Sequence, residues 1–256
     1  MFDGWGVVVT GAGSGMGAEA ARRFVREGAK VVISDIVPDA AHAMAREIDP
    51  QGARCIGVAG DVASPRDCAA LVQAAEAFFG APVDVFLANA GVSYAGNFLE
   101  ADPEVLRRVV DVNVNGSVFS AQAALRSLVK SPRGVLIFTS SISGITARAQ
   151  RSVYNASKHA IGGLVKALAL EFGAAGVRVN AIAPGATDTP FLRAHLAKVN
   201  DDVDAAVERT VSTIPLGRLI QPAEFADAAV FLASPAARSI TGQTLVLDGG
   251  HTAGRL

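Results

Sequence analysis

The apolar residues of this chain fall into short runs separated by longer amphipathic stretches. The run WGVVVT at 5–10 is rich in β-branched residues and bounded by glycine, which is typical of a buried strand. The stretch AEAARRFVREG at 18–28 spaces its apolar positions as a helix does and ends at Gly28. The same patterns predict further strands at 30–35, 54–61, 83–91, 134–141, 177–185 and 243–250, and further helices at 39–49, 66–79, 104–130, 153–174 and 223–233.

Strands that alternate with helices predict repeated βαβ units, and strands that are apolar almost throughout predict burial on both faces. We therefore expect an α/β fold: a single-domain, doubly wound parallel sheet of about seven strands with helices on both faces. No linker divides the chain, so one domain is expected over 1–256. The stretch 186–215 carries mixed charge after a predicted strand end and is interpreted as a substrate lid.

Composition narrows the class of partner. Half of the 256 residues are hydrophobic, 18% are charged, and the net charge is −1, so neither nucleic acid nor an anionic membrane is expected as a partner. Without an apolar run long enough for a signal or a membrane span, a cytoplasmic protein with reduced cysteines is predicted. The two cysteines and four histidines show no ligand-like clustering, so no metal site is predicted.

A glycine-rich turn, TGAGSGMG at 10–17, joins the first predicted strand to the first helix. Glycines allow a sharp turn and a close approach of the backbone, and a helix N-terminus offers free amide groups to a phosphate. The strict G-x-G-x-x-G spacing fails at Met16, but the strand–turn–helix context favours a dinucleotide site over a simple tight turn.

Asp35 ends the second predicted strand, 18 residues after Gly17. An acid at that place accepts hydrogen bonds from an adenosine ribose and repels a 2′-phosphate. Neither Ile36 nor Ser14 supplies a cation for such a phosphate. The sequence therefore favours NAD (NADH) over NADP as the cofactor, although an aspartate that only ends a strand is the alternative.

The stretch YNASK at 154–158 places Tyr154 one helical turn before Lys158. Such a pair can be an ordinary surface pair. Alternatively, the lysine cation lowers the pKa of the tyrosine from about 10 toward neutrality, where a phenol works as a general acid or base.

Seven motifs follow one another along the chain: TGAGSGMG at 10–17, GDV at 60–62, NAG at 89–91, VNVNG at 112–116, SSISG at 140–144, YNASK at 154–158 and PGATDT at 184–189. In order and spacing they resemble the short-chain dehydrogenase/reductase family over nearly the whole chain. One departure is Thr187, where the family often has an aliphatic residue. The resemblance implies a Rossmann-type fold and an NAD-dependent oxidoreductase that interconverts a secondary alcohol and a ketone.

The resemblance also implies the roles of individual residues. Tyr154 would act as general acid and base, Ser141 would bind the substrate oxygen, and Asn113 would position a water near Lys158. Asn115 is the alternative for this role. Asn113 is preferred because Gly116, three residues after it, fits the family pattern of this segment. The cofactor-binding residues expected are Gly11, Ser14, Gly15, Met16, Gly17, Asp35, Asp61, Val62, Asn89, Ala90, Gly91, Tyr154, Lys158, Pro184, Gly185, Thr187 and Thr189.

The substrate pocket is expected where strands four, five and six end. Its predicted residues are Ser93, Tyr94, Ile142, Ser143, Arg151, Thr187, Phe191 and Leu192, with the loop 145–153. Arg151 lies three residues before Tyr154 and can hold a carboxylate, although a solvated or subunit-facing arginine is the more frequent case. His195 is a further candidate for the pocket, and we predict it to be a surface residue of the lid rather than a catalyst.

Two other classes of protein fit parts of the pattern. A non-catalytic dinucleotide-binding sensor or scaffold would be free to lose the serine, tyrosine or lysine, but all three are present. A sugar epimerase or dehydratase with the same Tyr–Lys motif would need a longer substrate domain. The resemblance further implies a small-molecule alcohol or carbonyl substrate and a homo-oligomer, with a homotetramer favoured. The long helices at 104–130 and 153–174 are candidate interface elements.

Overall fold

The computed structural model describes residues 1–198 and 200–254, so Val199, Arg255 and Leu256 lie outside the described residues. Its strands are β1 (Gly6–Thr10), β2 (Lys30–Asp35), β3 (Cys55–Ala59), β4 (Val85–Ala88), β5 (Val135–Thr139), β6 (Arg178–Pro184) and β7 (Thr244–Leu247). Within the described part of the chain they form one parallel sheet in the order β3-β2-β1-β4-β5-β6-β7. The predicted seven-stranded parallel sheet is confirmed.

Helices cover both faces of this sheet. They are α1 (Gly15–Arg26), α2 (Pro38–Ile48), α3 (Pro65–Phe79), α4 (Pro103–Val110), α5 (Gly116–Leu128), α6 (Ser152–Phe172), α7 (Pro190–Leu196), α8 (Val203–Val211) and α9 (Pro222–Ala233). α1 and α9 pack together on one face, and α3, α5 and α6 pack on the other.

Alternate residues of each strand supply the two cores. On β1, Val7 and Val9 pack under α1 and α9, whereas Val8 faces the layer of α3, α5 and α6. Period-two alternation in a strand that is apolar on both sides explains why the runs read as continuous hydrophobic sequence. The doubly wound fold class is therefore shown by the packing as well as by the strand order.

β1 and β2 end where the sequence predicts, whereas the other five strands end earlier. β4 ends at Ala88 rather than at 91, and β7 ends at Leu247 rather than at 250. Beyond β7, Gly249 and Gly250 adopt φ values of 64° and 89°, which turn the chain out of the sheet. The motif residues at these ends are therefore loop residues at the carboxyl edge, where they are free to face a ligand.

The predicted helix 104–130 is not continuous. α4 and α5 are joined by a π-helical turn over Asp111–Asn115, which holds Asn113. Such single π turns inside helices widen the backbone and often mark functional sites. The sequence pattern over 104–130 predicted one helix and did not reveal this interruption.

The stretch 186–215, apart from Val199, contains α7 and α8 and lies over the carboxyl edge of the sheet. Among the described residues, no helix combines the length and apolar character that crossing a membrane requires. The same residues contain no group of three or more His, Cys, Asp or Glu side chains placed to hold a metal ion.

Candidate active site

One cleft runs along the carboxyl ends of the central strands, where β1 and β4 are neighbours and the strand order changes direction. Ligands bind at this switch point in open α/β sheets. The cleft gathers residues that the sequence placed far apart: the turn after β1, the ends of β2 and β4, the Ser141 segment, the start of α6 and the segment after β6.

Hydrogen bonds fasten the glycine turn to the neighbouring strand ends. The Thr10 hydroxyl accepts from the amides of Asn89 and Ala90, at 3.0 and 3.2 Å. The Asn89 side-chain amide donates to the carbonyls of Thr10 and Gly11, at 3.0 and 3.1 Å. The Thr139 hydroxyl at the end of β5 then donates to Asn89 Oδ1 at 3.1 Å. Three strand ends are thereby locked to the turn that would receive a phosphate.

Glycine is required at two positions of this turn for conformational reasons. Gly11 and Gly15 have φ values of 61° and 59°, in the left-handed region that disfavours side chains. α1 begins at Gly15, and the Ser14 side chain does not cap it. With no acidic residue in the first turn, the free amides and the positive end of the helix dipole are available to an anion.

Asp35 lies beside this turn. Its carboxylate accepts from the amides of Gly13 and Val37, at 3.0 and 3.1 Å, so the acid is oriented by the backbone. Asp61 and Val62 line the same end of the cleft, where Arg108 pairs with Asp61 at 3.2 Å. Ile36 is 53% exposed next to Asp35 and offers an apolar surface there.

Asn113 is buried at the π turn beneath the NAG segment. Its side-chain oxygen accepts from the Val92 amide, and its amide donates to the Val92 carbonyl, both at 2.9 Å. The amide also contacts the Ser157 hydroxyl at 3.1 Å. The side chain of Asn115 instead bonds Asp111 within its own helix. Asn113 therefore lies directly behind Val92 in the wall of the cleft without lining the cleft itself, whereas the Asn115 side chain is bonded within its own helix.

Ser141 and Tyr154 lie together in the cleft. The Ser141 oxygen accepts from the Ser143 amide at 3.1 Å, which orients the hydroxyl. Burial raises the pKa of Tyr154, and interactions with the Ser141 hydroxyl and with the Arg151 cation lower it. Behind the ring, Tyr94 and Val109 pack against Tyr154 and hold it in place.

Lys158 is buried one turn further along α6. Its ammonium donates to the Thr139 carbonyl at 2.8 Å and lies 5.9 Å from the centroid of the Tyr154 ring. Burial lowers the pKa of Lys158 to about 8. The Lys158 ammonium is directed to the end of β5, and the Arg151 cation also lowers the pKa of Tyr154, so Lys158 is not the one cation near the phenol. That Lys158 lowers the pKa of Tyr154 stays a prediction.

The segment after β6 closes the cleft from above. Thr189 caps α7 by accepting from the Leu192 amide at 3.3 Å, and its hydroxyl donates to the Thr187 carbonyl at 3.2 Å. Gly185 meets the chain after β7, where its amide donates to the Leu247 carbonyl at 2.9 Å. The cofactor-binding residues expected in this segment that line the cleft are Pro184, Gly185, Thr187 and Thr189.

Five of the predicted substrate residues line the cleft beside the catalytic candidates: Ser93, Ser143, Arg151, Phe191 and Leu192. Tyr94 does not, because its hydroxyl donates to the Asn97 carbonyl at 3.0 Å and its ring supports Tyr154 from outside. Among the predicted cofactor residues, Gly17 is buried inside α1 and does not line the cleft either. Its contribution is to let α1 approach the turn.

Sequence reasoning found part of the substrate end and missed the rest. His195 was named as a possible pocket residue but also as a surface residue of the lid; α7 turns it inward, where it lines the cleft and is 3% exposed. Arg148, which lies in the predicted pocket loop 145–153, and His251, which was not predicted there, also line the cleft, with 2.5 Å between Arg148 Nη2 and His251 Nε2. No pattern in the sequence joins these residues, because 103 positions separate Arg148 from His251.

Comparison with known proteins finds relatives that match nearly the whole chain. A family model described as enoyl-(acyl carrier protein) reductase matches residues 11–252. The cis-4-hydroxycyclohexanecarboxylate dehydrogenase of Sinomonas cyclohexanicum is 39% identical over 247 residues, which cover 96% of each chain.

Two solved structures show the same architecture. A 3-ketoacyl-(acyl-carrier-protein) reductase from Brucella melitensis, complexed with NADH, superposes with a TM-score of 0.89 at 34% identity and covers 98% of this chain and 100% of its own. A short-chain type dehydrogenase/reductase from Mycobacterium marinum gives 0.90 at 32% identity, over 99% of this chain and 97% of its own.

Proposed function

The chain belongs to the short-chain dehydrogenase/reductase family, and on that premise we propose that it interconverts a secondary alcohol and a ketone with NAD(H), using Tyr154 as general acid and base. Its membership makes it an oxidoreductase that uses a nicotinamide dinucleotide. The observation that carries the finer proposal is that Ser141, Tyr154 and Lys158 line one cleft, with Asn113 bonded behind them to Val92 of the cleft wall.

The residues present fit such a dinucleotide. The uncapped start of α1 behind Gly15 would hold the pyrophosphate, and Asp35 would accept from the adenosine ribose. Asp61 and Val62 lie where the adenine would rest. The segments NAG at 89–91 and PGATDT at 184–189 would flank the nicotinamide half of the dinucleotide. When bound, the dinucleotide supplies the hydride acceptor or donor.

NAD rather than NADP is favoured by the charge around Asp35. Its carboxylate is held in place by two amides, and the neighbouring Ile36 and Val37 are exposed and uncharged. A 2′-phosphate would therefore meet a fixed negative charge. Arg108 is the nearby cation that lines the cleft, and its guanidinium already pairs with Asp61.

The side chains of this protein transfer the proton of the substrate hydroxyl. In oxidation, the carbinol hydrogen leaves as hydride, the hydroxyl proton passes to Tyr154 Oη, and the C–O bond becomes a carbonyl. Ser141, oriented by the Ser143 amide, would hold the reacting oxygen beside the phenol. In reduction, the burial that raises the pKa of Tyr154 keeps the phenol protonated and ready to donate. Asn113 and Lys158, close to Gly91, would support a water path for this proton.

Absorbance at 340 nm tests the proposal. We would measure NADH formation with NAD, and NADPH formation with NADP, over a panel of secondary alcohols, hydroxysteroids, sugars, diols and hydroxy acids. The panel includes cis-4-hydroxycyclohexanecarboxylate, a secondary alcohol after which the Sinomonas relative is named. The proposal predicts turnover of at least one member with NAD preferred. Tight NAD binding without turnover of any member would instead support a dinucleotide-binding sensor.

A homotetramer is the assembly that accompanies this proposal. Exposed apolar side chains on α4, α5 and α6 support it, among them Val105, Val118 and Leu170, which is 86% exposed. Light scattering after size exclusion should give four times the 26.2 kDa chain mass. A monomer mass at micromolar concentration would contradict the homotetramer but would not bear on the proposed oxidoreductase activity.

A further inference from the structure

The substrate end of the cleft carries positive charge that no acidic side chain balances. Arg148 and Arg151 both line it and are partly buried. Within residues 1–198 and 200–254, neither guanidinium lies within ion-pair distance of a carboxylate. The two cations also act on each other, because Arg148 and burial lower the pKa of Arg151. Bringing like charges together in a partly desolvated place is unfavourable unless an anion joins them.

The ring nitrogens of His195 independently indicate that a ligand binds at this end of the cleft. It is 3% exposed, lines the cleft, and neither ring nitrogen has a hydrogen-bond partner among the described residues. A buried polar group without a partner costs about 1–3 kcal/mol. Burial, Arg151, Lys198 and Arg148 together lower its pKa to about 4, so the ring is neutral at pH 7 and keeps one N–H donor. A ligand atom that accepts this hydrogen bond would satisfy it.

The polar contacts of Arg148 show which nitrogens remain free. A guanidinium only donates, so His251 Nε2 accepts from Arg148 Nη2, and His251 Nδ1 then carries the proton and donates to the Thr213 hydroxyl at 3.2 Å. This chain of bonds orients Arg148 and leaves its other nitrogens available. Arg151 precedes the first residue of α6, three positions before Tyr154, so an anion on it would lie near the reacting oxygen.

The cleft that these three polar groups line is also lined by apolar side chains: Val92, Ile142, Phe191, Leu192 and Leu196. A ligand that suits this end of the cleft therefore has an apolar body and one planar anionic group. A carboxylate matches the guanidinium fork with two parallel hydrogen bonds.

We propose that the substrate is a secondary alcohol, or the matching ketone, whose apolar body ends in a carboxylate bound by Arg148 and Arg151 and hydrogen-bonded by His195. This inference rests on the proposed function, because it takes the cleft beside Tyr154 as the substrate site. It adds a substrate class, hydroxy acids and oxo acids, and it assigns roles to three residues.

Calorimetry on the NAD-saturated enzyme separates this claim from the chemistry. The probes are cyclohexanecarboxylate and its neutral analogue cyclohexanecarboxamide, neither of which has a carbinol to oxidise. We expect the carboxylate to bind at least about tenfold more tightly than the amide. Arg151→Gln and Arg148→Gln should each lower the affinity for the carboxylate by roughly 10- to 100-fold and change the affinity for the amide by less than about twofold.

Arg193→Gln is the matched control, because Arg193 is an exposed arginine of α7 that pairs with Asp204 outside the cleft. It should leave both affinities unchanged. In parallel, the imidazole NMR signals of His195, identified with His195→Gln, should shift on addition of cyclohexanecarboxylate and not of the amide. These readouts need no turnover, so a failed anion site and a failed oxidoreductase assignment give different results.

Three results would overturn the inference. The amide could bind as tightly as the carboxylate, which would show that the charge is not recognised. Inorganic phosphate could displace the carboxylate with higher affinity, which would assign the arginines to phosphate esters. The arginine substitutions could change the mass of the assembly and leave carboxylate affinity intact, which would assign them to a subunit contact.

Discussion

An added methyl group at Gly17 tests the account of the glycine turn. The Cβ of Gly17→Ala would lie 2.5 Å from the Gly11 carbonyl oxygen, 2.6 Å from Asn89 Nδ2 and 3.0 Å from Ala12 Cα. Overpacking of this kind costs about 1–3 kcal/mol. Displacing the Asn89 amide also loses its bonds to Thr10 and Gly11, at about 1 kcal/mol each. The higher helix propensity of alanine offsets about 1 kcal/mol of this cost, so the free energy of unfolding should fall by about 2–4 kcal/mol.

Urea unfolding measures that change, and calorimetry measures the accompanying loss of NAD affinity, expected to be at least about tenfold. Gly163→Ala is the control. It changes the same residue type inside α6, where an added Cβ meets nothing within 4 Å, and should stabilise the protein by about 0.5–1 kcal/mol. A Gly17→Ala protein with wild-type stability and wild-type NAD affinity would refute the close packing of α1 against this turn.

Three further outcomes are expected. Asp35→Ala combined with Ile36→Arg should shift the ratio of kcat/KM values from NAD toward NADP, and an unchanged ratio would remove Asp35 as the selector. The Arg151 cation lowers the pKa of Tyr154, so Arg151→Gln should raise that pKa and move the rise of the alcohol-oxidation rate to higher pH, with Lys158 and Ser141 left in place. A shift of the rate profile to lower pH would contradict the effect of Arg151 on Tyr154. Burial raises the pKa of the Cys55 thiol to about 12, so Ellman's reagent at pH 8 should modify it only after unfolding, and prompt reaction of the native protein would show that Cys55 is accessible.

Much of the fold could be predicted because its signals are local. β-branched runs such as VVV at 7–9 and VVI at 31–33 are buried on both faces, so their apolar character needs no knowledge of distant residues. Glycines with positive φ, such as Gly11 and Gly28, leave their mark at the turn that requires them. The order of the motifs then located the cleft, since carboxyl ends of parallel strands share one edge.

The features that escaped prediction depend on contacts between distant segments. His195 was a candidate for the pocket, but nothing in the sequence of α7 distinguishes an inward His195 from an exposed one, because the neighbouring Arg148 and Arg151 come from another loop. The same holds for Tyr94, whose hydroxyl is taken by the nearby Asn97 carbonyl and whose ring turns from the cleft. The pKa of Tyr154 likewise depends on every cation that the fold brings near it, and helical spacing alone did not reveal the contribution of Arg151.

Tyr154→Phe tests the central claim most directly, because it removes one oxygen atom and keeps the ring that Tyr94 and Val109 support. On an alcohol that the wild-type enzyme oxidises, absorbance at 340 nm should show kcat reduced by about 10²- to 10⁴-fold, while calorimetry shows NAD affinity within about twofold of wild type. Turnover close to the wild-type rate would contradict the assignment of Tyr154 as the group that carries the proton.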